Sequence, residues 1–362
     1  MPGGRALRKP LMLRVGSAAF VALWCLIAAF PIVWITLMSV KSPVDAFAET
    51  PIEVIVGPAT LQSGDGRSVL DLAAGAAVLL AALWLAVRWL PARVARHAPR
   101  GWLWLAWGLA APGFALAFLA VFFGLLPPAL SAANAVAGPL GREVIGLTTE
   151  HYRTVWVDRG FTDNLINSLV VTGGVVTVSL SVGTLAGYAL ARSGSRLAFW
   201  LLIVALVFRA LPHSVLVAGY LPVFINSAEW LRPVLGEAAP TLYGKPLAVI
   251  AVLVAINQPF TIWMLRAFFQ NIPRELDEAA RVDGCSHFQA FRLVIMPVMW
   301  PGIITTGLFS FLLAYNDFLV TSLLLDAQSQ TMVPAIANMF NRETTTTDQV
   351  VAVAAAVSIT AP

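Results

Sequence analysis

Seven stretches of this chain are apolar for long enough to cross a lipid bilayer, and an eighth begins before its end. A helix needs roughly 20 apolar residues to span the hydrocarbon core. Runs near residues 15–38, 69–87, 102–126, 165–191, 197–221, 247–265 and 298–320 meet that length, and a further run starts near 348. In lipid the backbone must satisfy its own hydrogen bonds, which a helix does within one segment. A barrel strand would alternate apolar and polar residues, whereas these runs are continuously apolar. Only 12% of the residues are charged and mean hydropathy is +0.80, against about a quarter charged in a soluble domain. The expected fold class is an all-α polytopic membrane protein of about eight spans, with no soluble domain between them. The final run, Val350 to Pro362, covers only about 20 Å at ~1.5 Å per residue, so the last span is expected to be incomplete.

Charge sets the expected orientation, because Lys and Arg accumulate on the cytoplasmic side of membrane helices. With the N-terminus inside, fourteen of the 23 Lys and Arg fall on the cytoplasmic side, eight fall outside, and Arg209 lies within a span. Arginines flanking the spans account for the net charge of +4, so no nucleic-acid partner is required. Cys25 and Cys285 are placed at different depths, and neither a disulfide nor a metal site is expected of them. Ala46-Phe-Ala48 resembles a signal-peptide cleavage site. The apolar run before it is about 24 residues, however, against the usual 7–15, so a retained signal-anchor helix is expected.

The acidic residues predicted to face the cytoplasm are confined to one segment, Asn271 to Pro297. Pro273 suits a first helical turn, having no N–H to leave unpaired. Gly284 provides a turn through positive φ, and Ser286 with Gln289 forms a capping box for a second helix. Leu276, Ala279, Ala280 and Asp283 recur at spacings of three and four, so they are expected to share one face. Two adjacent alanines would let another backbone approach, ringed by Arg274, Glu275, Glu278 and Arg281. An ordered helix–turn–helix here suits a partner.

The pattern Glu278-Ala-Ala280, Gly284 and Val294-Ile-Met-Pro297 resembles the EAA loop of permease subunits in binding-protein-dependent ABC importers, with Met296 where leucine is usual. Asn167-Ser-Leu-Val-Val-Thr172, Gly187-Tyr-Ala-Leu-Ala-Arg192, Ile272-Pro-Arg-Glu-Leu276 and Tyr315-Asn-Asp-Phe-Leu319 resemble the carbohydrate, maltose-type branch. The resemblance covers roughly residues 10–50 and 147–362. It implies a six-helix type I importer core in a bacterial or archaeal plasma (inner) membrane, N-terminus cytoplasmic. It further implies a second permease subunit, an ABC ATPase dimer, an extracytoplasmic solute-binding protein and a sugar substrate. Glu278, Ala279, Ala280, Asp283, Gly284 and Pro297 become the ATPase-coupling residues. The resemblance implies no cofactor of the chain's own, since ATP is bound by the partner ATPase.

Residues 52–146 have no counterpart in that pattern. They are read as an inserted segment with two further spans, between a first part (1–51, cytoplasmic segment and first helix) and a core (147–362, with the coupling loop at 271–297). Two crossings return the chain to the same side, which preserves the downstream topology. A peripheral hairpin against lipid and a docking surface for an accessory protein are both open readings of it. Trp102, Trp104 and Trp107 suit an interfacial anchor. Arg209, Asn257, Gln258, Asn316 and Asp317 are candidates for lining a translocation path, since an intramembrane polar group is a functional-site hypothesis by default. Snorkelling, an internally satisfied helix break and an interfacial cap are the structural alternatives.

No enzymatic constellation appears. His97, His151, His213 and His287 are scattered, HExxH and Gly-x-Ser-x-Gly are absent, and no Gly-x-x-x-x-Gly-Lys-Ser/Thr loop could cradle a nucleotide phosphate. The sequence therefore points to a transport subunit without metal or catalytic residues. A permease for a polyamine or glycerol phosphate, or a membrane enzyme or scaffold, are the alternatives.

Overall fold

The computed structural model describes residues 11–97, 110–341 and 345–360, except 112, 115 and 119. Helices α1 (Leu11–Met38), α2 (Val69–Trp89), α3 (Leu116–Val136) and α4 (Phe161–Ser193) come first. They are followed by α5 (Arg196–Arg209) and α6 (His213–Ile225), then α7 (Pro246–Gln270), α8 (Glu275–Val282), α9 (His287–Tyr315) and α10 (Thr346–Thr360). Among the described residues, α1, α2, α3, α4, α7 and α9 are long and apolar enough to span a membrane. The tryptophans at 102, 104 and 107 lie outside the described residues.

The run expected to cross as one helix at 197–221 does not. It breaks at Ala210-Leu211-Pro212 into α5 of 14 residues and α6 of 13. Pro212 disfavours a helical conformation at the residue before it, and 14 residues rise only about 21 Å. Proline also explains a recurring irregularity. Wide π-helical turns occupy 85–89, 120–125, 154–158 and 291–295, and all but the one at 154–158 are followed, after one intervening residue, by proline: Pro91, Pro127 and Pro297. A proline ring collides with the carbonyl four residues back and offers no N–H. Widening the preceding turn relieves both without ending the helix.

The chain divides into two compact units, one of residues 155–342 and one formed by the segments before and after it. In the first, α4, α7 and α9 pack against one another. Close approach depends on glycine: a Cβ on Gly183 would lie 2.6 Å from Thr261 Cγ2, and one on Gly187 3.1 Å from the backbone N of Arg266. The Gly183-to-Gly187 pair therefore packs α4 onto α7 within the chain. One buried cluster gathers Val171, Val175, Val249, Leu253 and Leu324; a second gathers Leu265, Phe269, Ile272, Phe291 and Ile295.

In the other unit, strands β1 (Gly66–Ser68) and β2 (Glu143–Gly146) pair antiparallel and tie together the two ends of the α2–α3 hairpin. The chain leaving α1 is stapled to this base. Fully buried Lys41 donates to the carbonyls of Ile55 at 2.7 Å and Gly146 at 2.6 Å. Its backbone carbonyl meets His151 Nε2 at 2.8 Å. Asp45, 2% exposed, accepts from the N and Oγ1 of Thr60, both at 2.6 Å, and from Ala59 N at 3.1 Å. Burial pushes the Lys41 pKa down, partly offset by the nearby Asp45 carboxylate. Burial alone would raise the Asp45 pKa, but hydrogen bonds from Thr60, Ala59 and Ser42 outweigh it and hold it below the ordinary value. Helix α10 belongs to this unit, with Val350, Val351, Ala352, Ala354 and Ala355 buried.

Candidate functional site

The loop between α7 and α9 is ordered by local chemistry at both ends of α8. Pro273 precedes the helix, where its missing N–H costs nothing. The first turn forms on Arg274, whose carbonyl accepts from Asp277 N at 3.0 Å and Glu278 N at 3.2 Å. Three acids, Glu275, Asp277 and Glu278, occupy that turn, where they complement the positive end of the helix dipole. At the other end Gly284 takes φ 90°. Cys285 N then reaches the carbonyl of Ala280 at 3.0 Å and Gly284 N that of Arg281 at 3.1 Å, the paired bonds of a Schellman ending. Ser286 and Gln289 then exchange side-chain bonds with each other's backbone N–H, at 3.3 and 2.8 Å, to start α9.

One side of α8 is fastened to the membrane helices. Tyr188 Oη donates to Asp277 Oδ1 at 2.6 Å, and Arg192 Nη2 lies 2.7 Å from Asp277 Oδ2, the two charged side chains being only 17% and 15% exposed. Arg192 also donates to the carbonyl of Ile272 at 3.1 Å, gripping the chain just ahead of the helix. Tyr188 is itself seated on Phe291 and Phe269, with ring centroids 4.8 and 5.4 Å away. Asp277 thus links α8 to the end of α4 through two partners one helical turn apart.

The two alanines do different work, which corrects the reading that they share an approachable face. Ala280 is 5% exposed and packs inward, while Ala279 is exposed. Successive helical residues are about 100° apart, and anchoring by Asp277 turns its i+3 neighbour Ala280 inward. The open face carries Glu275, Leu276, Ala279, Val282 and Asp283, with Val282 87% exposed. Glu278 borders a recess of about 180 Å³ alongside Arg274, Arg281 and His287. Pro297 does not end the second helix: α9 runs through it, behind the wide turn at 291–295. Asp277, Tyr188 and Arg192 were not among the expected coupling residues. Their signal was the i, i+4 spacing of Tyr188 and Arg192 at a membrane boundary, facing a segment rich in acids.

Among the described residues, the five candidate path residues make separate local contacts. Arg209 ends α5, and its guanidinium lies 4.9 Å over the ring of Phe260, with Nε making no hydrogen bond. Asn257, 1% exposed, donates to Ser310 Oγ at 2.8 Å and so joins α7 to α9. Gln258 donates to the carbonyl of Ser179 at 3.3 Å, joining α7 to α4. Asn316 bonds back to the carbonyl of Leu312 at 3.0 Å, and the Asp317 carboxylate accepts from Val320 N at 3.1 and 3.2 Å. Asn257 and Gln258 are interhelical polar contacts, and Asn316 and Asp317 cap helix ends.

A bundle of membrane helices with an anchored amphipathic helix between two of them defines a polytopic membrane protein with an ordered loop between two of its spans. The sequence profile of the binding-protein-dependent transport system inner membrane component matches residues 179–362, half of the chain, and the chain belongs to that family. The diacetylchitobiose uptake system permease protein DasC of Streptomyces coelicolor is 32% identical over 51% of this chain and 63% of its own length. The trehalose transport system permease protein SugB of Mycobacterium tuberculosis is 33% identical over 53% of this chain and 66% of its own. The matched stretch thus spans under two thirds of these relatives. The fold is shared with a chain of a bacterial ABC transporter involved in the import of the acidic polysaccharide alginate. That match has a TM-score of 0.55 and 15% identity, over 99% of this chain and 94% of the other.

Proposed function

We propose that this chain is the permease subunit of an ATP-driven importer, forming with a second permease the path for a carbohydrate delivered by a solute-binding protein. ATP is bound and hydrolysed by a partner ATPase dimer, and this chain takes no part in that chemistry. The N-terminus and the α7–α9 loop face the cytoplasm, in keeping with the excess of Lys and Arg on that side. The observation that carries the reading is the two-sidedness of α8. Its inner side is fixed through Asp277 and Ala280, and its outer side offers Leu276, Ala279 and Val282 among acids. A helix so held transmits displacement: ATPase closure moves α8, and the Tyr188–Asp277–Arg192 link carries the movement to α4 while the capped turn at Gly284 carries it to α9. The helices then rock between inward- and outward-facing states. Carbohydrate is the favoured cargo because the relatives named above are permeases for diacetylchitobiose and trehalose.

The test is co-purification of a nucleotide-binding subunit with wild type and with Val282→Arg, which adds a charge to the outer face and touches nothing inside. Wild type is expected to retain the ATPase and the variant to lose it at equal expression. Equal retention would remove α8 as the docking element. In a Cys25→Ser background, labelling of half-buried Cys285 by an impermeant thiol reagent added outside would reverse the orientation and sink the importer reading.

A further inference from the structure

The α2–α3 hairpin and the segments beside it hold a cleft of about 890 Å³, none of whose lining residues belongs to α4, α7, α8 or α9. Leu72, Gly75 and Leu79 of α2 form one wall, and Phe122, Leu126 and Leu130 of α3 the other. At the strand-paired end the lining becomes charged, with Arg67 and Glu143. The apolar walls run from Ser68 to Leu79 and from Phe122 to Asn134, about 16–18 Å at the helical rise. Half of a ~30 Å hydrocarbon core is about 15 Å, so the cleft is one leaflet deep, polar at the interface end and apolar toward the midplane. None of the apolar stretch of either helix is buried in the protein, so the cleft opens onto lipid.

The charged end has unspent capacity. Asp71 is already satisfied, accepting from Ser68 N at 2.8 Å and from Asn134 Nδ2 at 2.9 Å. Arg67 and Glu143 are exposed and form no hydrogen bond or ion pair among the described residues. Three charged groups line this mouth. Asp71 is spent on Ser68 and Asn134 with the Arg67 charge beside it, which leaves the donors of Arg67 and the acceptors of Glu143 to meet a zwitterion rather than an anion. An acyl chain gains little by leaving bilayer for protein, since lipid tails are as apolar as leucine. Selection must therefore come from the headgroup.

We propose that this cleft binds one phosphatidylethanolamine-type lipid of the leaflet at the strand-paired end. Its phosphate meets Arg67, its ammonium meets Glu143, and an acyl chain lies between α2 and α3. The site requires that α2 and α3 cross the membrane and is independent of what the core transports.

The full-length protein is reconstituted in bilayer discs with equal phosphatidylethanolamine and phosphatidylglycerol of identical chains. It is then transferred to mild detergent and weighed by native mass spectrometry. Wild type is expected to keep one phosphatidylethanolamine per chain in preference to phosphatidylglycerol. A Cβ at Gly75 meets no atom within 4 Å, so Gly75→Phe fills the cleft without a clash; it should lose the lipid at an unchanged thermal midpoint. Arg67→Glu removes a charge-assisted contact and should lower retention about tenfold. The proposal is overturned by equal retention of the two lipids in wild type, or by undiminished retention in both variants. It is also overturned if wild type retains no lipid while an Ala76→Cys variant cross-links to a protein neighbour, which would make the cleft a subunit interface.

Discussion

Replacing Asp277 with alanine tests whether α8 acts through a fixed link or merely covers the helix ends. The carboxylate receives a hydroxyl at 2.6 Å and a guanidinium at 2.7 Å with about one sixth of each charged side chain exposed. Exposed ion pairs contribute about 0–1 kcal/mol, whereas removing one partner of a buried pair costs about 3–5 kcal/mol. This pair lies between, and Arg192 keeps its bond to the Ile272 carbonyl, so a loss of about 2 kcal/mol is expected. At 1.36 kcal/mol per factor of ten, the released state of α8 gains about thirtyfold. In the reconstituted transporter this should appear as faster amide exchange across 275–283 and ATP hydrolysis that proceeds with little transport. Asp277→Asn keeps the shape and a Tyr188 partner but loses the charge attraction, so it should fall between. Arg192→Ala with Asp277→Ala should cost less than the sum of the single changes. Strict additivity, or unchanged exchange and coupling in Asp277→Ala, refutes the link.

Gly284→Val places a β-branched residue at φ 90°, a penalty of about 1–3 kcal/mol; transport is expected to fall while membrane insertion, read by quantitative blotting, does not. Gly187→Leu drives side-chain carbons toward the Arg266 backbone, whereas Gly173→Leu enters open space. The first should lower the thermal midpoint in detergent by the equivalent of about 1–3 kcal/mol and the second should not. Asp45 is tested by acid. Its folded-state pKa lies below the ordinary 3.8, so its stabilisation is complete above that value and is lost as pH falls through the folded pKa. The thermal midpoint of wild type should therefore drop below about pH 4 more steeply than that of Asp45→Asn.

The helical nature of the apolar runs and the ends of α8 were legible in the sequence, because each rests on short-range chemistry. The count was not, since six helices rather than about eight are of spanning length among the described residues. Length decides a span, Gly284 decides a turn, and Ser286 with Gln289 decides a helix start. What misled was the inference from an apolar run to an unbroken helix at 197–221. Hydropathy is blind to Pro212, which stops a helix without making the run less apolar. The facing of α8 was equally hidden. Spacing groups Leu276, Ala279, Ala280 and Asp283, but which side turns inward is set by Tyr188 and Arg192, some ninety positions earlier. The interhelical contacts of Asn257 and Gln258 were hidden for the same reason. Their partners Ser310 and Ser179 lie on other helices, and a single segment does not announce them.

The wide turn before Pro297 gives a last prediction, because it fixes how α8 is joined to α9. Suppose Pro297→Ala let the turn close into regular α-helix while residues 296–315 stayed in place. Each residue ahead of the turn would shift by one position, about 100° and 1.5 Å. Arg292, exposed in the structure, would enter the place of Phe291, which is 8% exposed against Tyr188. Burying that arginine without a partner costs several kcal/mol. The gain from alanine over proline is at most about 3 kcal/mol, and less here because the wide turn has already relieved the clash. The turn should therefore persist, with transport near wild type and a thermal midpoint equal or slightly higher. If Pro297→Ala abolished coupling while leaving the protein folded, proline itself would be the required element. Tertiary packing around Phe291 would then not be what holds the register between the docking helix and the membrane.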